Sequence, residues 1–190
     1  MPLSMAARVA LIALGLAWVT VEVRQSRVVR AEASLADRGS RRVVVLAIGA
    51  GVLAATAVAR YVPAAAIPPS AALGWIGFGL LVTGMALRIW SIRTLGRYFT
   101  FTVQTSGDQA VIAAGPYRVI RHPGYAGLLL VSAGIGLLLA NWLAEIVVIA
   151  AAATGLVYRI TVEERALLRD LGPAYREYAA TRARLIPFLW

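Results

Sequence analysis

The sequence predicts an all-α polytopic membrane protein with about five transmembrane helices, of which the fourth and fifth form a tight hairpin, followed by cytosolic C-terminal helices. Three observations favour this class. Hydrophobic residues make up 60% of the chain and charged residues only 15%, whereas soluble domains carry about 25% charged residues. The apolar residues form runs of about 20, the length that crosses the hydrocarbon core. The charged residues are clustered between these runs.

Five apolar runs are the candidate spans. They cover residues 5–23, 43–62, 71–92, 124–140 and 142–160. The second run contains Ala47, Gly51 and Ala55 at four-residue spacing, which either lets another helix approach closely or is alanine-rich filler. Only Asn141 separates the last two runs, and this predicts the hairpin. Glu145 follows this turn. We interpret it as an interfacial carboxylate that faces water, with a buried functional carboxylate as the alternative.

The arginine distribution predicts the orientation. The chain has 19 basic residues and no Lys, which is typical of a GC-rich bacterial genome. Residues 24–42 hold six Arg and residues 93–121 hold four, whereas the loop 63–70 holds none. The positive-inside rule therefore predicts an integral protein of a bacterial inner membrane, with its N-terminus outside and its C-terminus in the cytosol. The first run is expected to be a retained helix rather than a signal peptide.

Composition also excludes several classes of protein. With no Cys and one His, the chain offers no disulfide, no thiolate nucleophile and no His or Cys metal centre. We predict no nucleic-acid partner despite the net charge of +10, because the arginines lie between apolar spans. Gly134 and Gly136 lie in an apolar run, where helix packing explains them. We expect one domain over residues 1–190, in which residues 1–92 form three spans and residues 93–190 carry the chemistry.

Two segments outside the spans complete the prediction. The loop 93–121 is long, and its apolar content favours a functional loop over disorder. The tail is expected to form a polar helix over residues 161–170 that Gly172 and Pro173 end, and then a second short helix over residues 174–182.

The segment 118–125 has the richest polar chemistry. It contains Arg121 and the only histidine, His122, at the mouth of the fourth run. Pro123 suits the first turn of a helix, so the simplest interpretation is a basic interfacial anchor and a helix start. The free N–H groups of a helix N-terminus also suit an anion. Tyr125, one turn further, offers a ring face or a hydroxyl.

A second polar cluster follows the last apolar run. Arg159 and Glu163 are four residues apart and therefore share a helix face, as an ordinary salt bridge would require. Glu163 and Glu164, however, are adjacent like charges beside an anionic membrane surface, which favours a role in binding a ligand. A carboxylate suits an ammonium or sulfonium ligand, and an arginine suits a substrate carboxylate.

Taken in order, these residues resemble the isoprenylcysteine carboxyl methyltransferase (ICMT) family of integral membrane methyltransferases, with this chain as a prokaryotic member. The resemblance runs from Gln104 to the end of the chain. The residues that carry it are Gly115-Pro116-Tyr117, Arg121-His122-Pro123-Gly124-Tyr125, Asn141, Arg159-Ile160, Glu163-Glu164, Leu171-Gly172-Pro173-Ala174-Tyr175-Arg176-Glu177-Tyr178 and Ile186-Pro187-Phe188. The first two apolar runs carry no family signature.

The resemblance implies S-adenosylmethionine as cofactor and methyl donor, bound between the loop before the fourth run and the helix after the fifth. Carried over by position, the cofactor-binding residues are Gln104, Gln109, Val111, Ile112, Tyr117, His122, Pro123, Gly124, Tyr125, Glu163 and Glu164. Gln109 stands where some relatives have His. Arg159 and Glu163 are the implied catalytic residues, and Arg159 also binds the acceptor carboxylate.

The implied reaction transfers a methyl group to a lipophilic acceptor in the bilayer, a prenylcysteine-like carboxylate that becomes a methyl ester. The sulfonium methyl is already activated and the acceptor is ionised at neutral pH, so the reaction depends on positioning more than on a general base. His122 therefore suits holding the cofactor better than moving a proton. The alternatives are a phospholipid, amine or other isoprenoid-lipid methyltransferase, a non-catalytic membrane lipid-binding protein, and a membrane reductase that uses a nicotinamide.

Overall fold

The computed structural model describes residues 39–68, 70–96, 111–187 and Trp190, together with the backbone of two short strands. In this part of the chain the fold is helical, with helices α1 (Ser40–Tyr61), α2 (Ala71–Leu95), α3 (Pro123–Leu138) and α4 (Trp142–Ala180). Strands β1 (Ser34–Leu35) and β2 (Gln104–Thr105) pair antiparallel. Short 3-10 helices cover Pro63–Ala65 and Gly115–Arg118. The predicted first span and Gln109 lie outside the described residues.

The predicted class, an all-α membrane protein, agrees with the helices described. Among these residues α1, α2 and α4 are long and apolar enough to cross a membrane, and α3 is a shorter apolar helix of 16 residues. The observed α1 begins three residues before its apolar run and α2 continues three residues beyond its run. These helices extend further because their polar ends still form backbone hydrogen bonds outside the apolar region.

Local signals explain where several helices begin and end. The side chains of Ser70 and Asn141 accept hydrogen bonds from the N–H groups of residues three positions later, which caps α2 and α4. Gly96 ends α2 at a positive φ of 51°. Gly172 has a φ of 54° and bends α4 immediately before Pro173, so the predicted break at this point is confirmed. The polar helix before the break continues the last apolar run without interruption.

Pairs of glycines bring α2 and α3 into close contact. A Cβ built on Gly127 would lie 2.6 Å from the carbonyl oxygen of Gly84, and one built on Gly134 would lie 2.7 Å from that of Gly77. Gly127 and Gly134 are seven residues apart in α3, and Gly77 and Gly84 are seven residues apart in α2. The same contact therefore recurs after two helical turns. This backbone contact is the close packing expected for Gly134.

Small residues also form the contact between α1 and α4. A Cβ on Gly51 would lie 2.6 Å from Cβ of Ala151, and one on Gly155 would lie 2.9 Å from Cβ of Ala47. Ala55 is fully buried and clusters with Ala144 and Val148 of α4. The small residues of the second run therefore serve helix approach, and the alternative of alanine-rich filler is wrong.

The connection between α3 and α4 is anchored to the loop after α1. The side chain of Asn141 donates to the carbonyl of Val62 at 3.1 Å, and the backbone N–H of Ile67 donates to the carbonyl of Ala140 at 2.7 Å. Glu145 lies between the two interpretations given above, since the residue is half-buried and its Oε2 atom is shielded from water. This Oε2 atom lies against Gly136, because the missing side chain of the glycine leaves space for it between the two helices. It has no hydrogen-bond partner in the described part of the chain.

Candidate active site

The two polar clusters of the sequence meet at one end of the helix bundle. The chain that follows α4 returns alongside the start of α3, where the N–H of Arg121 donates to the carbonyl of Ala183 at 2.9 Å and the N–H of His122 donates to that of Arg184 at 3.0 Å. Glu163 and Glu164 lie in α4, four and five residues beyond Arg159. The C-terminal chain therefore closes one side of a site between α3 and α4.

Glu164 is buried and holds three cationic or histidine side chains together. Its Oε1 atom lies 2.7 Å from Nη1 of Arg121 and 3.1 Å from Nε2 of His122. Its Oε2 atom accepts a hydrogen bond from Nε of Arg184 at 2.9 Å. We call these four residues the Glu164 cluster. Because they come from the start of α3, from α4 and from the C-terminal chain, the cluster ties the three segments together.

The Glu164 carboxylate lies beyond the apolar part of α4, and its surroundings favour ionisation. Burial opposes the charge, but the hydrogen bonds from His122 and Arg184 and the positive charge of Arg121 outweigh it and hold the pKa of Glu164 below its ordinary value. The stabilisation is therefore complete above the ordinary carboxyl pKa of 4.5 and is lost as the pH falls through the lowered value of the folded protein.

Glu164→Gln is expected to lower the free energy of unfolding by about 3 kcal/mol at pH 7, because Arg121 and Arg184 then lack their buried counter-charge. Below about pH 4.5 the free energy of unfolding of this variant should also fall less steeply with pH than that of wild type. Thermal unfolding in detergent between pH 3 and 7 measures both effects. The matched control is Glu177→Gln, at an exposed position of the same helix. Equal acid sensitivity of both variants would contradict the role of the cluster.

A second group of hydrogen bonds runs from α4 to α3. Nε of Arg159 donates to the Tyr125 hydroxyl at 2.9 Å, and this hydroxyl donates to Oε2 of Glu163 at 2.5 Å. The direct distance from Nε of Arg159 to Oε2 of Glu163 is 3.9 Å, so the predicted i,i+4 pair is bridged by Tyr125. The rings of His122 and Tyr125 stack with centroids 5.6 Å apart. The stacking joins this group to the Glu164 cluster.

The 3-10 helix before α3 adds Tyr117 to the site. This residue is buried, and its carbonyl accepts a hydrogen bond from the Tyr178 hydroxyl at 2.9 Å. Burial raises the pKa of Tyr117 well above its ordinary value and that of Tyr178 to about 12. Both phenols therefore stay neutral at physiological pH, and the Tyr178 hydroxyl acts as a hydrogen-bond donor.

The structure brings most of the predicted site residues together. Those within the two hydrogen-bonded groups or next to them in the chain are His122, Pro123, Gly124, Tyr125, Arg159, Glu163 and Glu164. Tyr117 is joined to α4 separately, through Tyr178. Val111 and Ile112 are half-buried and lead into the 3-10 helix that contains Tyr117. Gln104 is described only as a backbone position of β2, paired with Leu35.

Four polar residues that contact the site were not predicted as site residues. Arg121 and Arg184 contact Glu164, and Ser40 accepts a hydrogen bond from Nη1 of Arg159 at 2.7 Å. Arg88 of α2 is buried and donates to the carbonyl of Gly124 at 3.3 Å. A signal existed for Arg88, since an arginine in an apolar run is costly unless it is paired. Ser40 carries no comparable signal in the sequence.

Several known proteins are similar to this chain. The profile of the isoprenylcysteine carboxyl methyltransferase (ICMT) family matches residues 75–169, which is half of the chain. Protein-S-isoprenylcysteine O-methyltransferase A of Arabidopsis thaliana is 32% identical over 120 residues, which cover 60% of this chain and 61% of the relative. Protein-S-isoprenylcysteine O-methyltransferase of Tribolium castaneum is 33% identical over 116 residues, which cover 60% and 41% respectively. The matched part thus spans about three fifths of the first relative's length.

A solved structure agrees with these sequences. The eukaryotic intramembrane Ras methyltransferase ICMT superposes with a TM-score of 0.55 at 32% identity, over 61% of this chain and 42% of that one. The matched region contains the start of α3, the apolar part of α4 and both glutamates that follow it. On this agreement of family profile, curated relatives and fold, the chain belongs to the isoprenylcysteine carboxyl methyltransferase family.

Proposed function

We propose that this protein transfers a methyl group from S-adenosylmethionine to the carboxylate of a lipophilic, prenylcysteine-like acceptor and so forms a methyl ester. The observation that carries the proposal is the chain of contacts from Arg159 through Tyr125 to Glu163. It sets a guanidinium and a carboxylate against the same hydroxyl, with Nε of Arg159 and Oε2 of Glu163 3.9 Å apart. A cationic methyl donor and an anionic acceptor can therefore be held next to each other at the polar end of α4.

The residues at this end fit a donor of this kind. Glu163 keeps 28% of its side chain exposed, so its carboxylate can accept a hydrogen bond from an ammonium or attract a sulfonium. The Tyr175 hydroxyl and Nε of Arg121 are buried without a hydrogen-bond partner among the described residues, and such groups call for a polar ligand or a water molecule. Tyr117, His122, Pro123, Gly124 and Tyr125 would form the wall for the rest of the donor, with Val111 and Ile112 leading up to it. Gln104 and Gln109 are proposed as donor-binding residues on the family resemblance alone.

Within this proposal the chain's own residues act by binding and orienting. The donor supplies an activated methyl group, and the acceptor carboxylate needs no base at neutral pH. Arg159 would hold the acceptor carboxylate through its planar fork, whereas it would repel an ammonium acceptor. Glu163 would hold the positive end of the donor. Both oxygens of Glu164 are occupied by side chains of the protein, so Glu164 would serve the donor site by holding His122 in place.

The names of the relatives support the proposed acceptor. The curated relatives are O-methyltransferases of protein S-isoprenylcysteine, and the solved relative is a Ras methyltransferase. For this chain we propose an acceptor that reaches the site from the bilayer, as a prenylated protein or a smaller isoprenoid carboxylate.

We further propose one domain over residues 1–190 with five spans, the N-terminus outside and the C-terminus cytosolic. In this topology α3 and α4 form the hairpin, and the donor enters from the cytosol of a bacterial cell.

Glu163→Gln is expected to weaken binding of S-adenosylhomocysteine or S-adenosylmethionine at least about tenfold, because the amide removes a negative charge next to the donor. The S-adenosylmethionine complex should be the more affected of the two, since only this ligand carries a sulfonium. Calorimetric titration of the detergent-purified protein measures both affinities. Glu177→Gln, on the exposed face of the tail helix, is the control. Wild-type affinity of Glu163→Gln for both ligands would overturn the site.

A further inference from the structure

The most unusual partner of Arg159 comes from outside the region that matches the family. Ser40 is the first residue of α1, and its side chain is fully buried. A serine at a helix start usually accepts a hydrogen bond from the N–H groups of its own helix. Here Gly39, with a φ of 73°, occupies the capping position, and the Ser40 hydroxyl accepts a hydrogen bond from Nη1 of Arg159 at 2.7 Å, 119 residues further along the chain.

This contact fixes the guanidinium from a second direction. Nε of Arg159 already donates to the Tyr125 hydroxyl, which belongs to α3. The guanidinium is planar, so a hydrogen bond at Nε and another at Nη1 together set the orientation of its plane. A flexible arginine loses conformational freedom when it binds a carboxylate in a two-pronged contact, and an arginine that is already held loses less.

The chain just before Ser40 also contacts the donor side. Strand β1 pairs with β2 in the register Leu35 opposite Gln104 and Ser34 opposite Thr105. Ser34 and Leu35 therefore pair with the segment proposed to lead to the donor, and Ser40 contacts the arginine proposed to bind the acceptor. The family profile begins at residue 75, so this part of the site belongs to the N-terminal half.

We propose that Ser40 is a positioning residue for the acceptor carboxylate, acting by orienting the guanidinium of Arg159. The proposal rests on the acceptor role of Arg159 under the proposed function. Ser40→Ala is expected to raise the KM for the carboxylate acceptor about tenfold, which is typical for loss of a hydrogen bond to a charged group. The affinity for S-adenosylhomocysteine is expected to change by less than about twofold, because the contacts of Glu163 and His122 remain.

The experiment compares Ser40→Ala and Ser40→Cys with wild type in steady-state methylation of a synthetic S-prenylcysteine that has a free carboxylate. Cysteine has the same branching as serine with a somewhat larger sulfur atom and is a weak acceptor, so both variants should raise the KM to a similar extent. Ser132→Ala is the control, since among the described residues this buried hydroxyl donates its hydrogen bond to the carbonyl of Leu128 in its own helix. In an Arg159→Lys background, Ser40→Ala should add little further effect, because the two residues act as a unit.

The possible outcomes separate this proposal from the proposed function. If the wild-type protein does not methylate the acceptor, the proposed function fails. If wild type is active and both Ser40 variants keep its KM, only the positioning role is overturned. The positioning role is also overturned if the KM, the affinity for S-adenosylhomocysteine and the Tm all deteriorate together in both variants, because that pattern indicates a purely structural serine.

Discussion

Arg159→Lys is expected to lower kcat/KM for a carboxylate acceptor about 100-fold or more, which corresponds to about 2.7 kcal/mol of transition-state stabilisation. Lysine keeps the positive charge but loses the planar fork that holds Tyr125 and Ser40 and would bind a carboxylate with two N–H groups. Binding of S-adenosylhomocysteine should persist, because Glu163 and the Glu164 cluster are retained. Methylation kinetics and calorimetric titration of the same preparation measure both quantities.

Arg165→Lys provides the matched control for Arg159→Lys. It makes the same substitution in the same helix at an exposed position, and its activity should equal that of wild type. A kcat/KM for Arg159→Lys within about threefold of wild type would contradict the assignment of Arg159 to the acceptor. A lysine ammonium cannot reproduce the two parallel hydrogen bonds that a guanidinium makes to a carboxylate.

Replacing both Gly127 and Gly134 with Ala is expected to produce the largest loss of stability. The new Cβ atoms would lie 2.6 Å from the carbonyl oxygen of Gly84 and 2.7 Å from that of Gly77, distances that force α2 and α3 apart. Overpacking of this kind costs about 1–3 kcal/mol at each site, so the Tm should fall by about 5–10 °C or the protein should fail to fold. Thermal unfolding in detergent measures the effect.

Gly79→Ala is the control for the glycine pairs. This glycine lies in α2, and a Cβ built on it has no neighbouring atom within 4 Å. Its Tm should stay at the wild-type value or rise slightly, because alanine is the better helix former. Equal Tm values for Gly79→Ala and the double variant would show that close approach of α2 and α3 does not stabilise the fold.

The membrane helices could be predicted from sequence because length and hydropathy alone determine whether a segment can cross a bilayer. The contact of Gly84 with Gly127 could not be predicted, since a glycine in an apolar segment does not indicate which residue of another helix it contacts. Glu145 shows the same difficulty. Its position beside a turn suggested exposure to water, whereas its environment depends on the space left by Gly136, which lies on a different helix.

The candidate site was predictable where the chemistry lies in local motifs. His122, Tyr125, Arg159 and Glu163 stand out as polar residues at the ends of apolar runs, and the structure brings them within one hydrogen-bonded and stacked group. The contacts of Glu164 with Arg184 and of Arg159 with Ser40 join residues 20 and 119 positions apart. Such pairs depend on how the helices pack and on the path of the C-terminal chain, which no local motif records.

The central proposal is that this protein methylates a carboxylate. The most direct test incubates the detergent-purified wild-type protein with S-adenosylmethionine carrying a radiolabelled methyl group and a synthetic S-prenylcysteine, alongside the same compound with its carboxylate converted to an amide. We predict label in the first compound alone, released as volatile methanol by mild base and reduced about 100-fold or more by Arg159→Lys. Base-stable label, or equal labelling of the amide, would contradict carboxyl methylation.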